Sequence, residues 1–488
     1  MQAERYIAAA DIGTSKVALS VAKVDGENIQ IIWYKEVPSD GIRYSAVFNP
    51  TRAAVPLKAV IQEAEKELNI KILQLVVGLP RYSIRQETAS ALMKRSDPDS
   101  CITREEINSL KSIAIDSYPL ENEAKEEIYG AVAQSFSADE DLVCACENDV
   151  VGVAAESIEG HFKIFIGNKK AVHDIDRTLN EVGVAPARKL FVPGAVAQAV
   201  LTDAEKENGV ALVEVGAGVT SVTVYKGRLL RHYSSIPFGG KSITNDIKYE
   251  CGFTESLAEN IKLAFGACLP DKLQTLGDKV IQINDEENGT YEQLPVKYLS
   301  ETITYRAREI IEAVLFLIQQ SGYADLLRNG VVLTGGGSSL VNFAQMFKEM
   351  SGYTVRIGYP RTQIFSSGGC PGATEASAAA SIGMILEARR DSYLNCIEDA
   401  GMPASADTAA RTDGTDGGQE TSGTEEQTPR DGMLFSDEEI IMPSKGHNKK
   451  KEKKEGGSVI WGKLRRKISS GLEGAFDNTV GDLFDSMK

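Results

Sequence analysis

Two stretches of this chain, Ile7 to Val24 and Val210 to Tyr225, spell the same local structure about two hundred residues apart. The first holds Asp11, Gly13, Thr14, Ser15 and Lys16; the second holds Glu214, Gly216, Ala217 and Gly218. In each, an apolar run ends in an acid, an apolar residue and a glycine. A tight turn and an alternating β-branched strand follow, Val17 to Val24 in one copy and Val219 to Tyr225 in the other. Each copy then turns again, at Asp25-Gly26 and at Lys226-Gly227. Such a hairpin aims backbone N–H groups at one point, where a phosphate can be bound. Two copies face to face would grip a polyphosphate from both sides.

A third glycine turn completes the set. Val331, Val332 and Leu333 read as a short buried strand, followed by Thr334-Gly335-Gly336-Gly337-Ser338-Ser339. A helical run from Leu340 to Met350 comes next, with Ser338 or Ser339 placed to cap it. Consecutive glycines allow close approach of a flat ligand. A single glycine turn is weak support for a site; three in this order, each directly after an apolar strand, are strong.

At 488 residues the chain has length for two or three domains. Its net charge of −16 argues against nucleic-acid binding through a general basic surface. The seven cysteines show no paired metal spacing; Cys144 and Cys146, expected on one face of a strand, read as reduced thiols. The N-terminal residues run straight into the first strand without a signal-peptide pattern, and no apolar run reaches the roughly 18 residues a bilayer-spanning helix needs.

Along residues 1–84 the pattern reads as three strands, a helix from Pro50 to Leu68 and a strand from Ile72 to Leu79. Residues 85–166 change character: a strand, a helix from Thr103 to Ser117, then several strands ending near Phe165, as in a small α+β insert. Helical and strand pieces resume near Ala171. A helix from Glu301 to Ser321 precedes the third turn, and an alanine-rich helix from Ala376 to Arg390 closes the core. From Asp391 to Gly457 the chain is rich in Gly, Thr, Ser, Asp and Glu, too polar to bury a core, and reads as a disordered linker. As a flexible coil it would reach about 45 Å.

The linker ends in a basic run, Lys449 to Lys454, after which apolar residues recur at helical spacing: Trp461, Leu464, Ile468, Leu472 and Phe476. Lys463, Arg465, Arg466 and Lys467 surround the first two turns. That composition suits a helix lying in an anionic membrane surface.

These motifs together resemble the superfamily of actin, the heat-shock chaperones and the sugar kinases. From Tyr6 to about Ala388 the chain is similar to the FtsA family of bacterial cell-division proteins. The likeness is carried by Asp11 to Val17, Gly194 to Ala197, the second hairpin, Ile236 to Lys241, Ile243 to Asp246, Ala258 to Lys262 and Val331 to Ser338. It implies an actin-like α/β fold of two lobes, each built on a duplicated RNase H-like unit. The first lobe would take residues 1–84, 167–200 and a closing helix at 366–390. The insert would span 85–166 and the second lobe 201–365. A linker at 391–456 and an amphipathic helix at 457–488 would follow. The resemblance further implies ATP in the cleft, with Asp11 positioning Mg²⁺ through water. Gly13, Thr14, Ser15 and Lys16 would contact the β- and γ-phosphates, and Glu214, Gly216, Ala217 and Gly218 would take the opposite side. Gly335, Gly336 and Ser338 would lie against the nucleoside, with Glu259 and Lys262 near the ribose and base. From the residues alone, Glu259 and Lys262 read equally as a solvated helix pair.

By the same resemblance the protein polymerises on the inner face of the membrane at the division septum. It would anchor FtsZ filaments there through their C-terminal peptide and recruit later division proteins. The insert and the lobe containing 240–300 would make the subunit contacts. The second hairpin departs from the family pattern, with Glu214 for an aspartate, Ala217 for the middle glycine, Val219 for a threonine and Ser221 for a second aspartate. Losing a hydroxyl and a carboxylate removes groups that would orient metal or water, so ATP binding with weak or negligible hydrolysis is expected. A PilM-like pilus assembly ATPase would share the core and the insert; a sugar-type kinase would need a catalytic carboxylate that the sequence does not reveal.

Overall fold

The first hairpin forms as the sequence predicts. Strands β1 (Arg5–Ile12) and β2 (Lys16–Asp25) pair antiparallel, with Ile12 opposite Val17, and β3 (Asn28–Pro38) adds to β2. In this computed structural model the described residues are 4–139, 142–285 and 290–398. The chain divides into two units, Met1–Ser405 and Ala406–Lys488; the second, with Trp461, Lys463, Leu464, Arg465, Arg466, Lys467, Ile468, Leu472 and Phe476, lies outside the described residues.

A short ribbon, β4 (Ile42–Arg43) with β5 (Ala46–Val47), leads into α1 (Pro50–Leu68). Asn49 caps that helix by accepting from the Arg52 N–H at 3.1 Å, and Asn69 ends it in a left-handed conformation. Ala53, Leu57, Val60, Ile61 and Ala64 recur at helical spacing and are buried in the first core. Strand β6 (Gln74–Gly78) then runs parallel to β1.

The insert comprises β7 (Arg85–Lys94), α2 (Arg104–Asp116), β8 (Glu126–Ala138), β9 (Leu142–Cys144), α3 (Glu147–Val150) and β10 (Ser157–Asn168). Its sheet, in the order β7-β10-β8-β9, carries a core of its own around Phe136, Phe162, Ile158 and Leu110. The helix α2 starts at a capping box in which Thr103 and Glu106 satisfy each other's backbone N–H groups. Cys144 is buried at the end of β9, but Cys146 lies beyond it as the N-cap of α3, so the two thiols do not share a strand face.

The chain returns to the first lobe through α4 (Lys169–Val182), β11 (Ala185–Leu190) and α5 (Val192–Val200), and α6 (Asp203–Asn208) links to the second lobe. There, β12 (Val210–Val215), β13 (Thr220–Lys226) and β14 (Leu229–Ile236) form the second hairpin and its extension. Helices α7 (Gly240–Cys251) and α8 (Glu255–Phe265), the ribbon β15 (Val280–Asp285) with β16 (Thr290–Pro295), and α9 (Val296–Gln320) follow. The helix α9 begins five residues before Glu301, with its inward face at Leu299, Ile303, Ala307, Ile310, Val314 and Leu317. Strand β17 (Val331–Thr334), α10 (Phe343–Ser351) and β18 (Val355–Ile357) complete the lobe. Last comes α11 (Ala379–Ala388), preceded by a 3₁₀ turn at Ala376–Ala378. It is apolar on almost every side because it is buried between the first sheet and α5.

The two main sheets have the same topology. One runs β11-β6-β1-β2-β3 and the other, read from its far edge, β18-β17-β12-β13-β14. The duplication seen in the hairpins therefore extends to both five-stranded sheets.

Order does not stop at Asp391. The Cys396 N–H donates to the Tyr6 carbonyl at 2.7 Å, Ile72 bridges Ile397, and Arg5 donates to the carbonyls of Arg389 and Asp391. Leu394 and Cys396 are buried in the first core. Two apolar side chains and backbone bonds to β1 and to the start of β6 hold this segment, which composition averaged over a long polar stretch does not reveal.

Candidate nucleotide site

Four loops meet where the strands of the two sheets end. In each lobe an acid-bearing strand is followed by a turn, and its parallel neighbour ends beside it: β6 beside β1, and β17 beside β12. In open α/β sheets, ligands bind outside the carboxyl ends of such strands.

The two hairpin turns are built alike. The Gly13 N–H donates to the Lys16 carbonyl and the Gly216 N–H to the Val219 carbonyl, both at 2.9 Å. Those N–H groups are therefore committed to closing the turns. The N–H groups left over, those of Thr14, Ser15, Ala217 and Gly218, donate no hydrogen bond within the described residues. The turns touch: a Cβ built on Gly218 would stand 2.8 Å from the Thr14 side chain. Thr14 is itself fixed, its hydroxyl oxygen accepting from the Ser45 N–H at 2.9 Å. Behind the second turn, the first N–H groups of α7 donate to the carbonyls of Gly216 (2.9 Å) and Ala217 (2.8 Å). Unpaired donors of two touching turns thus lie close together, an arrangement that suits a phosphate chain.

Between the turns lies a residue that sequence reading did not single out. Arg81, on the loop that follows β6, donates from Nη2 to Asp11 Oδ1 at 2.8 Å, and its Nε is 3.5 Å from Glu214 Oε2. All three side chains are only 11% exposed. Burial pushes the Glu214 carboxyl above the usual carboxylate range, with Arg81 opposing that rise and Asp11 adding to it. The Arg81 guanidinium, although buried, is held charged by Asp11 and Glu214. The only sequence signal was position: a basic residue just after an apolar strand parallel to an acid-bearing one.

The other expected residues divide. Lys16 pairs with Glu36, and its ammonium also donates to the Ser377 carbonyl at 3.2 Å. Burial raises the Glu36 carboxyl, but Lys16 and its other donors outweigh that and hold it below its ordinary value. Glu259 and Lys262 are more than a solvated pair. The Lys262 ammonium donates to Glu259 at 2.7 Å, to Thr244 at 2.8 Å and to the Gly240 carbonyl at 3.0 Å, just behind the second turn. Gly335 and Gly336 lie in the third turn, which packs on the end of β12. Ser338 is buried and donates to the Gly335 carbonyl at 2.7 Å, so its hydroxyl is used inside the turn. Neither Ser338 nor Ser339 caps α10, whose N-cap is Asn342 in a left-handed conformation; the 3₁₀ turn Gly336–Ser339 displaces the helix start.

The Arg81 loop also touches the insert and the second lobe. The Tyr233 hydroxyl of β14 donates to the Arg81 carbonyl. Tyr233 packs edge-on against Phe191, and Phe191 stacks on Phe165 of the insert with centroids 4.3 Å apart. Beside them, Gln86 of β7 bonds His232 of β14 at 2.7 Å. Burial, aided by nearby Lys163, lowers the His232 pKa to about 4, against an ordinary value near 6.5. The unfolded chain therefore binds this proton at higher pH than the folded one. Stability is full above about pH 6.5 and is lost as pH falls towards 4, by about 2 kcal/mol at pH 5. Urea midpoints at pH 7 and pH 5 should show that loss in the native protein and a smaller one in His232→Gln.

The residues suit phosphates: two touching turns carry unpaired N–H groups, Lys16 belongs to the first turn, and Arg81 lies beside the acids that precede both. They do not fit the Mg²⁺ expected at Asp11, because the guanidinium of Arg81 stands between the two carboxylates. No cluster of three acidic, histidine or cysteine side chains suited to a metal occurs among the described residues. Nor is any described helix long and apolar enough to cross a membrane.

A family model for the cell division protein FtsA matches residues 211–383. The cell division protein FtsA of Neisseria meningitidis serogroup B is 30% identical over 363 residues, which cover 74% of this chain and 85% of that relative. The corresponding protein of Pseudomonas aeruginosa is 26% identical over 364 residues, 74% of this chain and 84% of the relative. Among solved structures, the PilM-PilN type IV pilus biogenesis complex aligns with a TM-score of 0.53 at 14% identity, covering 79% of this chain and 99% of that one. That likeness is one of fold, and the fold is actin-like.

Proposed function

This chain belongs to the FtsA family of cell-division proteins, and we propose that it is an ATP-binding scaffold that polymerises on the cytoplasmic face of the plasma membrane. There it anchors FtsZ filaments at the division septum and recruits later division proteins. One observation supports the nucleotide reading above the others: two turns from opposite lobes touch at Thr14 and Gly218 and leave their N–H groups unpaired. The tail sequence supports membrane attachment, since Trp461, Leu464, Ile468, Leu472 and Phe476 recur at helical spacing beside a cluster of basic residues. Exposed apolar side chains on the insert (Leu92, Val143) and on the second lobe (Tyr249, Leu263) suit contacts between subunits. Hydrolysis is weak in this reading. Val219 and Ser221 offer no carboxylate to position water, and both cleft acids face Arg81.

Co-sedimentation with anionic liposomes tests the proposal, comparing the full chain with one truncated after Glu455, each with and without MgATP. The full chain is expected to pellet, to form filaments on vesicles with ATP, and to release phosphate slowly. A full chain that stays soluble while binding ATP sinks the membrane role; brisk phosphate release sinks the weak-hydrolysis reading.

A further inference from the structure

We propose that Arg81 stands in for a divalent cation between the two cleft carboxylates and binds the polyphosphate of the nucleotide directly. The inference rests on the nucleotide reading above and deepens it. Three observations carry it.

The first is placement. The loop after β6 occupies in the first lobe the position of the third glycine turn in the second, because β6 pairs with β1 as β17 pairs with β12. The loop is pinned on both sides, the Leu79 N–H donating to Leu190 at 2.9 Å and the Arg81 carbonyl accepting from Tyr233. Arg81 is thus a fixed wall of the cleft.

The second is charge. Asp11 and Glu214 occupy equivalent places in the two hairpins, and the guanidinium lies between them. Two buried carboxylates facing each other need a cation, which a hard divalent ion supplies in many phosphate sites. Here a side chain with a permanent positive charge meets that need.

The third is unused bonding capacity. A guanidinium has five N–H donors, and within the described residues Arg81 uses only Nη2, towards Asp11. Its Nε, buried, makes no hydrogen bond and has only the ionic contact of 3.5 Å with Glu214 Oε2, itself without a hydrogen bond. Buried polar groups are rarely left unpaired. A phosphate oxygen entering between the turns gives the remaining N–H groups acceptors, with the charge-assisted geometry that arginine makes with phosphate.

Nucleotide binding should therefore depend little on metal. Calorimetric titration of the full-length protein with ATP, in Mg²⁺ and in EDTA, reads this directly. For the native protein, Kd should rise by less than about fivefold on chelation, because Arg81 remains. In EDTA, Arg81→Gln should weaken binding by about 10- to 100-fold, the range of one or two charged hydrogen bonds, and Mg²⁺ should restore most of it. Arg81→Lys, which keeps the charge but loses the fork, should fall between the two. Urea midpoints check that each variant is folded, and the chelation result on the native protein stands without any variant. Native binding that collapses in EDTA, with Arg81→Gln unchanged from native under both conditions, overturns the proposal and leaves Arg81 an ion-pair partner only. No ATP binding in either condition overturns the nucleotide reading itself, and this inference with it.

Discussion

Replacing Gly218 with valine should lower ATP affinity by about 10- to 100-fold, corresponding to the 1–3 kcal/mol that overpacking typically costs, while leaving the fold intact. Even a single Cβ at this position would stand 2.8 Å from both Cγ2 and Oγ1 of Thr14. Thr14 has little room to retreat because Ser45 holds its hydroxyl. Relief comes by separating the two turns, which moves the N–H groups of Thr14 and Ser15 away from those of Ala217 and Gly218. Both sides of the phosphate grip would be lost together. Combining Gly218→Ala with Thr14→Ala removes the two closest atoms and leaves only the Thr14 Cβ at 3.1 Å, so binding should recover in part relative to Gly218→Ala alone. Titration with ATP separates the cases. Equal affinities for Gly218→Val and the native protein would mean that phosphates do not pass between these turns.

Gly335→Ala should act on stability rather than on the opening. Gly335 has φ of +83° and ψ of 163°, a conformation essentially confined to glycine. A Cβ there would meet the Val215 carbonyl oxygen at 2.6 Å and its carbonyl carbon at 3.0 Å. Those atoms belong to a strand held on both sides, by β13 and β17, so they cannot yield. Backbone strain and overpacking together predict a loss of about 3–5 kcal/mol. Urea unfolding followed by circular dichroism would register it as a lowered midpoint. An unchanged midpoint would show that the third turn tolerates another conformation.

Much of the fold was legible because the residues that determine it are local. The helix α1 is bounded as read from sequence, from Pro50 to Leu68, and the structure shows the local reasons: Asn49 caps its start, Asn69 ends it, and its apolar residues recur at helical spacing. The hairpin turns were readable for the same reason, since an acid, an apolar residue and a glycine after an apolar strand leave few alternatives. Errors arose where tertiary contacts outweighed local preference. The helix expected from Leu340 begins at Phe343 because the glycine turn continues as a 3₁₀ segment. The segment after Asp391 is ordered because the backbone of β1 and β6 and the first core accept it.

The candidate site divides along the same line. Asp11, Gly13 to Lys16, Glu214 and Gly216 to Gly218 lie in sequence-local turns, and the sequence by itself fixed both their identity and their duplication. Arg81, Glu36, Ser377 and Tyr233 come from other parts of the chain, with no motif to join them. Only tertiary structure decided that Arg81 stands between two acids more than two hundred positions apart in sequence. The physical reason is that a strand's hydrogen-bond pattern and turn residues act over a few neighbours, whereas the meeting of four strand ends depends on parallel pairings that close long loops. Sequence therefore determined the form of each turn, and the strand pairings within the two sheets decided which charge would stand between them.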